Sequence, residues 1–70
     1  MARVSDNRRV ARNLMWMLID RDWSQTRLVR ESGLAQSTVN AVCNARSMPS
    51  IRTLRRLKET LGCTWEELLD

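Results

Sequence analysis

Histidine is absent from this chain of 70 residues, and cysteine, glycine and proline are scarce, at two, two and one. Without histidine, and with Cys43 and Cys63 far apart, no ligand set of the zinc type can be drawn. The chain has no glycine-rich phosphate loop, and the adjacent Glu66 and Glu67 would point about 100° apart on a helix rather than at one substrate. No catalytic residue, metal, cofactor or small-molecule ligand is therefore expected. Both cysteines read as small core hydrophobes in a reducing cytosol. The longest apolar run, "LMWMLI" from Leu14 to Ile19, is far too short to span a bilayer, and nothing at the N-terminus reads as a signal peptide. The expectation is a cytoplasmic protein with no membrane partner.

Acidic residues are missing from one long internal stretch. Residues 32–58 contain none, while Arg46, Arg52, Arg55, Arg56 and Lys58 all fall there. The formal net charge is only +4, so the local asymmetry carries more information than the total, and it favours an anionic partner. Every basic residue except Lys58 is arginine, the side chain whose planar fork suits phosphate and guanine.

What is present is helical period. Seventy residues make one small domain, near the lower limit at which an apolar core outweighs chain entropy without metals or disulfides. After "MARVS", read as a flexible basic arm over residues 1–5 that carries Arg3, Ser5 or Asp6 caps a first helix over about residues 7–20, with Val10, Leu14, Met17 and Leu18 as its inner stripe. Ser24 caps a second helix from Gln25 to Ser32, whose Leu28 and Val29 face inward, and Gly33 supplies the turn after it. A third helix spans about residues 36–44, and Pro49 forbids its continuation. Ser50 caps a fourth, in which Ile51, Leu54, Leu57, Lys58 and Leu61 set the face and Gly62 closes it. "TWEE" is a capping box before a last short helix with Trp65, Leu68 and Leu69. The expected fold is all-α, a compact five-helix domain over residues 6–70 with no strand.

The third helix has an unusual outer face. In "GLAQSTVNAVCNARSMPS" the positions Val39, Val42 and Cys43 recur at buried spacing. Ser37, Asn40, Ala41 and Asn44, with Gln36 and Thr38 beside them, make up the rest. An ordinary solvated face would be filled with Glu, Lys and Arg, which are good helix formers and solubilise well. Two short helices joined through a glycine turn, the second polar outside, is the layout of a helix-turn-helix. The stretch "WSQTRLVRESGLAQSTVNAVCNARSMPSIRTLRRLKETLG" resembles the helix-turn-helix family of the lambdoid phage repressors and Cro proteins. Ser24, Gln25, Leu28, Gly33, Val39, Pro49, Ser50, Thr53, Leu54, Leu57, Leu61 and Gly62 fit that family's pattern in register.

The resemblance implies a lambda-repressor-like fold and a sequence-specific regulator that binds a double-stranded DNA operator, a repressor of phage or prophage origin in the bacterial cytosol or nucleoid. Its third helix would lie in the major groove. There, planar amides match the donor and acceptor that adenine presents. It implies Gln36 as adenine reader, Gln25 as a phosphate ligand that braces Gln36, Ser37 as a hydrogen bonder to a base and Ala41 as a methyl contact to thymine. Asn44 and Arg46 would meet the backbone, and Thr38 and Asn40 are further DNA-binding candidates. Arg3, Arg8, Arg9, Ser24 and Arg52 are candidates for additional phosphate contacts. A homodimer, at least on DNA, is expected, because one such domain reads too few base pairs to be specific.

Two positions depart from the family pattern. Many members pair an Arg on the first helix with a Glu near the end of the third, where this chain has Leu18 and Cys43; an apolar contact is expected instead. Ala35 stands where a capping Ser or Thr is usual, so the third helix should start loosely and tighten on DNA. In addition, Met15, Trp16 and Ile19 exceed what a five-helix core needs. At least one of them should lie at the surface. Trp16 is expected either to cover the arm or the last helix, or to join Trp65, Leu68 and Leu69 in a self-association patch. Two other functions fit the same domain: an antitoxin or restriction-modification controller, and a protein-interaction module that lost DNA binding. The last would put charged or bulky apolar residues on the third helix, in contrast to Gln36, Ser37, Asn40 and Asn44.

Overall fold

A computed structural model describes residues 6–70; the arm expected over residues 1–5, with Arg3 and the possible cap Ser5, lies outside the described residues. The described residues form five helices in chain order: α1 (Asp6–Arg21), α2 (Gln25–Ser32), α3 (Gln36–Cys43), α4 (Ile51–Leu61) and α5 (Trp65–Leu69). No strand occurs among them. Asp6 is the first residue of α1 rather than its cap, and its carboxylate lies in the first turn, where the helix dipole favours it. Asn44 stands just after α3 as its C-cap.

Starts are set by side chains that satisfy orphan N–H groups. The hydroxyls of Ser24, Ser50 and Thr64 accept from the backbone N–H of Arg27, Thr53 and Glu67, and Glu67 closes the capping box by accepting from Thr64 N at 2.9 Å. Ends are set by left-handed residues. Gly33 and Gly62 hold φ of 72° and 65°, a region open to glycine at no steric cost. The ends of α1 and α3 use Asp22 and Ala45 instead, at 58° and 55°.

The core gathers Val10, Leu14, Met17 and Leu18 from α1, Leu28 from α2, Val39, Val42 and Cys43 from α3, and Leu54, Leu57 and Leu61 from α4; Cys63 and Leu68 complete it. α1 packs on α3 and α5, and α2 packs on α3 and α4. Both cysteines are buried and unpaired, and burial pushes their thiols up from the ordinary value, so neutral pH leaves them protonated. Leu18 and Cys43 are both buried members of this cluster, so neither position holds a charge that would need a partner. Polar side chains tie α1 into the fold along its length. Asn7 Nδ2 donates to Ala45 O at 2.8 Å, Asn13 Nδ2 to Leu68 O at 2.9 Å, and at the other end Arg21 Nη2 donates to Leu61 O at 2.7 Å.

Three expectations are corrected. Ile51 is 62% exposed, because it lies about 90° round the helix from the line of Leu54, Leu57 and Leu61 and in the first turn, where nothing covers it. Lys58 is only half-buried; its ammonium stands over the Trp65 ring, 5.5 Å from the centroid. Leu68 is fully buried and is therefore unavailable to a self-association patch. Met15, Trp16 and Ile19 are all exposed, so Trp16 is not covered by α5. No helix of the described residues is long and apolar enough to cross a membrane.

Candidate nucleic-acid interface

The turn between α2 and α3 sets the direction of α3. Gly33 N donates to Val29 O at 3.0 Å, which closes α2. The next donor, Leu34 N, finds no helix carbonyl and instead donates to Ser32 Oγ at 3.2 Å, while that hydroxyl donates to Val29 O at 3.4 Å. Ser32 is the one buried polar residue among the described residues. Its role was not legible in the sequence, where it reads as the last polar residue before a glycine. Beyond the turn, Ala35 has extended backbone and makes no side-chain cap bond to α3, as the departure at this position implied.

α3 buries Val39, Val42 and Cys43 and turns the opposite side outward. Gln36, Ser37 and Asn44 are exposed, and Thr38, Asn40 and Ala41 are half-buried along the flanks. None of these outward residues is charged. Asn44 Nδ2 donates to Asn40 O at 2.8 Å and to Asn40 Oδ1 at 3.0 Å. The paired amides leave Asn40 Nδ2 as a free donor and Asn44 Oδ1 as a free acceptor on one surface. Gln25, at the first position of α2, is half-buried, and the side-chain to side-chain hydrogen bonds of the described residues lie elsewhere. Gln25 and Gln36 thus keep their amides open, and no bond between them is made in the free chain.

After α3 the chain closes in a Schellman arrangement. Arg46 N donates to Ala41 O at 3.0 Å and Ala45 N to Val42 O at 3.2 Å, with Ala45 left-handed between them. Asn7 anchors the same point from α1, a contact that a polar residue near a helix start does not announce in sequence. The loop then passes alongside α3. Ser37, Thr38 and Ala41 share a groove of about 320 Å³ with Ser47, Met48 and the start of α4.

The exposed cations that follow α3 along the chain are Arg46 in the loop and Arg52 in the first turn of α4, with Arg55 and Arg56 exposed further along that helix. Arg8 is exposed on α1. Arg9 is half-buried and lines a different hollow together with Asp6 and Asp70, so two carboxylates share its neighbourhood. Ser24 already accepts a backbone hydrogen bond as the cap of α2, yet its own hydroxyl proton remains available to a phosphate oxygen. The one salt bridge among the described residues, Arg27 to Glu31 at 3.7 Å, lies within α2, and the Arg27 guanidinium also stacks 4.7 Å from the Trp23 centroid. No set of three potential metal-ligating side chains occurs among the described residues.

A polar uncharged helix face, held by a tight glycine turn and flanked by arginines with no acid between, is suited to base edges in a groove walled by phosphates. Comparison with known proteins agrees with that chemistry. The sequence model of the Cro/C1-type HTH DNA-binding domain matches residues 13–70. No curated protein and no solved structure matches the chain. The chain belongs to the Cro/C1-type helix-turn-helix DNA-binding domain family, a family of DNA-binding transcription regulators.

Proposed function

We propose that this chain is a sequence-specific regulator, a repressor of phage or prophage type, that reads double-stranded DNA through the outward face of α3. The observation that carries the reading is the uncharged, hydrogen-bonding character of that face inside a stretch of residues 32–58 that contains arginines and no acid. A solvated face would carry charge, and a protein-docking face would carry bulky apolar groups.

In this reading Gln36 forks onto an adenine, Ser37 and Ala41 touch the neighbouring base pairs, and the Asn40 and Asn44 amides are pre-aligned by their mutual hydrogen bond. Thr38 flanks the same contact. Gln25 and Ser24 at the start of α2, Arg46 in the loop and Arg52 at the start of α4 hold phosphates. Arg8, Arg9 and the arm with Arg3 add charge around them. The chain pairs on DNA, so the operator is an inverted repeat with half-site centres one helical turn, about 34 Å, apart.

Selection of bound duplexes from a random pool tests the whole reading at once. The expected product is a two-fold symmetric consensus with an adenine at a fixed place in each half. Recovery of no consensus, or binding that ignores sequence at every position, would contradict it.

A further inference from the structure

α1 carries more apolar surface than the fold uses. Met15, Trp16 and Ile19 are 45%, 61% and 60% exposed, with Trp16 turned away from the buried Leu14 and Leu18 and Met15 and Ile19 along one flank of it. Adjoining apolar side chains of this size, rimmed by charge, mark an interaction surface. The rim is ordered along the helix. Arg12, Trp16 and Asp20, all exposed, are spaced i, i+4, i+8 and so form one row about 12 Å long that runs from basic through aromatic to acidic. Within the described residues neither Arg12 nor Asp20 makes a salt bridge; Arg12 donates only to Asn13 Oδ1 and Asp70 O.

Such a row complements a reversed copy of itself. With two α1 helices antiparallel and crossing at Trp16, each Arg12 faces the partner's Asp20, while the two tryptophans and the flanking Met15 and Ile19 close the centre. A parallel pairing would set like charges together. We propose that the outer face of α1 is an isologous homodimer interface built in this way. It names the surface for the pairing proposed on DNA, and rests on that pairing, but not on which bases α3 reads. α5 is a poorer surface, because Leu68 is fully buried and Trp65 and Leu69 are already packed on the core. Three apolar side chains fall short of the ~800 Å² per partner of a standard interface, so the association is weak and dependent on concentration.

Sedimentation equilibrium from micromolar to millimolar chain tests the proposal, with thermal melting to confirm that each variant folds. The wild-type chain is expected to self-associate. Trp16→Ala, Arg12→Asp and Asp20→Arg should each weaken association at least about tenfold, since like charges then meet twice in either charge variant. An equimolar mixture of Arg12→Asp and Asp20→Arg should recover it, because both contacts are again between opposite charges. Binding of one subunit to a single half-site duplex should be unchanged in all of them. A dimer that persists in both charge variants overturns this surface and leaves pairing intact. A wild-type chain that stays monomeric at every concentration, and on a full operator, overturns both; loss of half-site binding in the wild type fails the reading of α3 alone.

Discussion

Asp22 and Ala45 both hold positive φ at the ends of helices, and they differ in how well they tolerate it. Aspartate visits the left-handed region with some ease, whereas for alanine the Cβ crowds the following carbonyl. Ala45→Gly should therefore stabilise the chain by about 0.5–1 kcal/mol, visible as a raised melting temperature, while Asp22→Gly gains less. At the buried pair, Cys43→Glu alone should destabilise by about 3 kcal/mol or more, as an unpaired charge among apolar neighbours. Adding Leu18→Arg should recover part of that loss, as a double-mutant cycle in denaturant would show, and a double variant as unstable as the sum of the singles would mean that the two positions do not face each other. The buried thiols give a further outcome. Burial raises the Cys43 pKa above its ordinary value of 9.0, so the folded state favours the neutral form. That contribution is complete below the unfolded value and is lost as pH rises through the folded one. Denaturant midpoints should then fall above about pH 9 in the wild-type chain, and fall less in Cys43→Ala.

At the scale of the element, starts and stops were legible where a side chain performs the capping. Ser24, Ser50, Thr64 with Glu67, Gly33 and Gly62 each act at the expected place. The ends of α1 and α3 were less legible, because Asp22 and Ala45 take a conformation that neither residue type advertises. Ile51 was misread for another reason: an apolar residue in the first turn fits the period only approximately, and a wheel drawn without neighbours cannot show that nothing packs over it. α3 has the weakest start. Ala35 leaves its first N–H groups without a side-chain acceptor, so Ala35→Ser should stabilise the free chain by about 1 kcal/mol and slow amide exchange over the first turn of α3. If the uncapped start has to tighten on DNA, the same change should also improve operator affinity. Unchanged exchange there would mean that α3 is already firm.

For the molecule as a whole, the family and the helical architecture could be read from spaced positions in the sequence, since the core of a small helical domain leaves few ways to place Leu28, Val39, Leu54 and Leu57. The contacts across helices could not. Asn7 to Ala45, Asn13 to Leu68 and Arg21 to Leu61 join residues about 40 or more positions apart, through polar side chains that carry no period. The surface behaviour follows from charge. If arginines around α3 neutralise six or more phosphates, affinity for any duplex should drop about 10³-fold or more between 50 and 200 mM salt, and a flat salt response would remove DNA as the partner.

Whether α3 reads bases is decided by competition binding of Gln36→Ala against the selected operator and its single-base variants. An amide that forks onto an adenine should cost about 1–3 kcal/mol of specific binding when removed, with preference relaxed at one base pair in each half-site and retained elsewhere. Arg46→Ala, run beside it, should weaken all duplexes alike and make the salt slope shallower, because a phosphate contact carries no base information. If Gln36→Ala instead lowers affinity for every duplex by one factor and leaves every base preference in place, α3 does not read the groove and the roles of Ser37 and Ala41 fail with it.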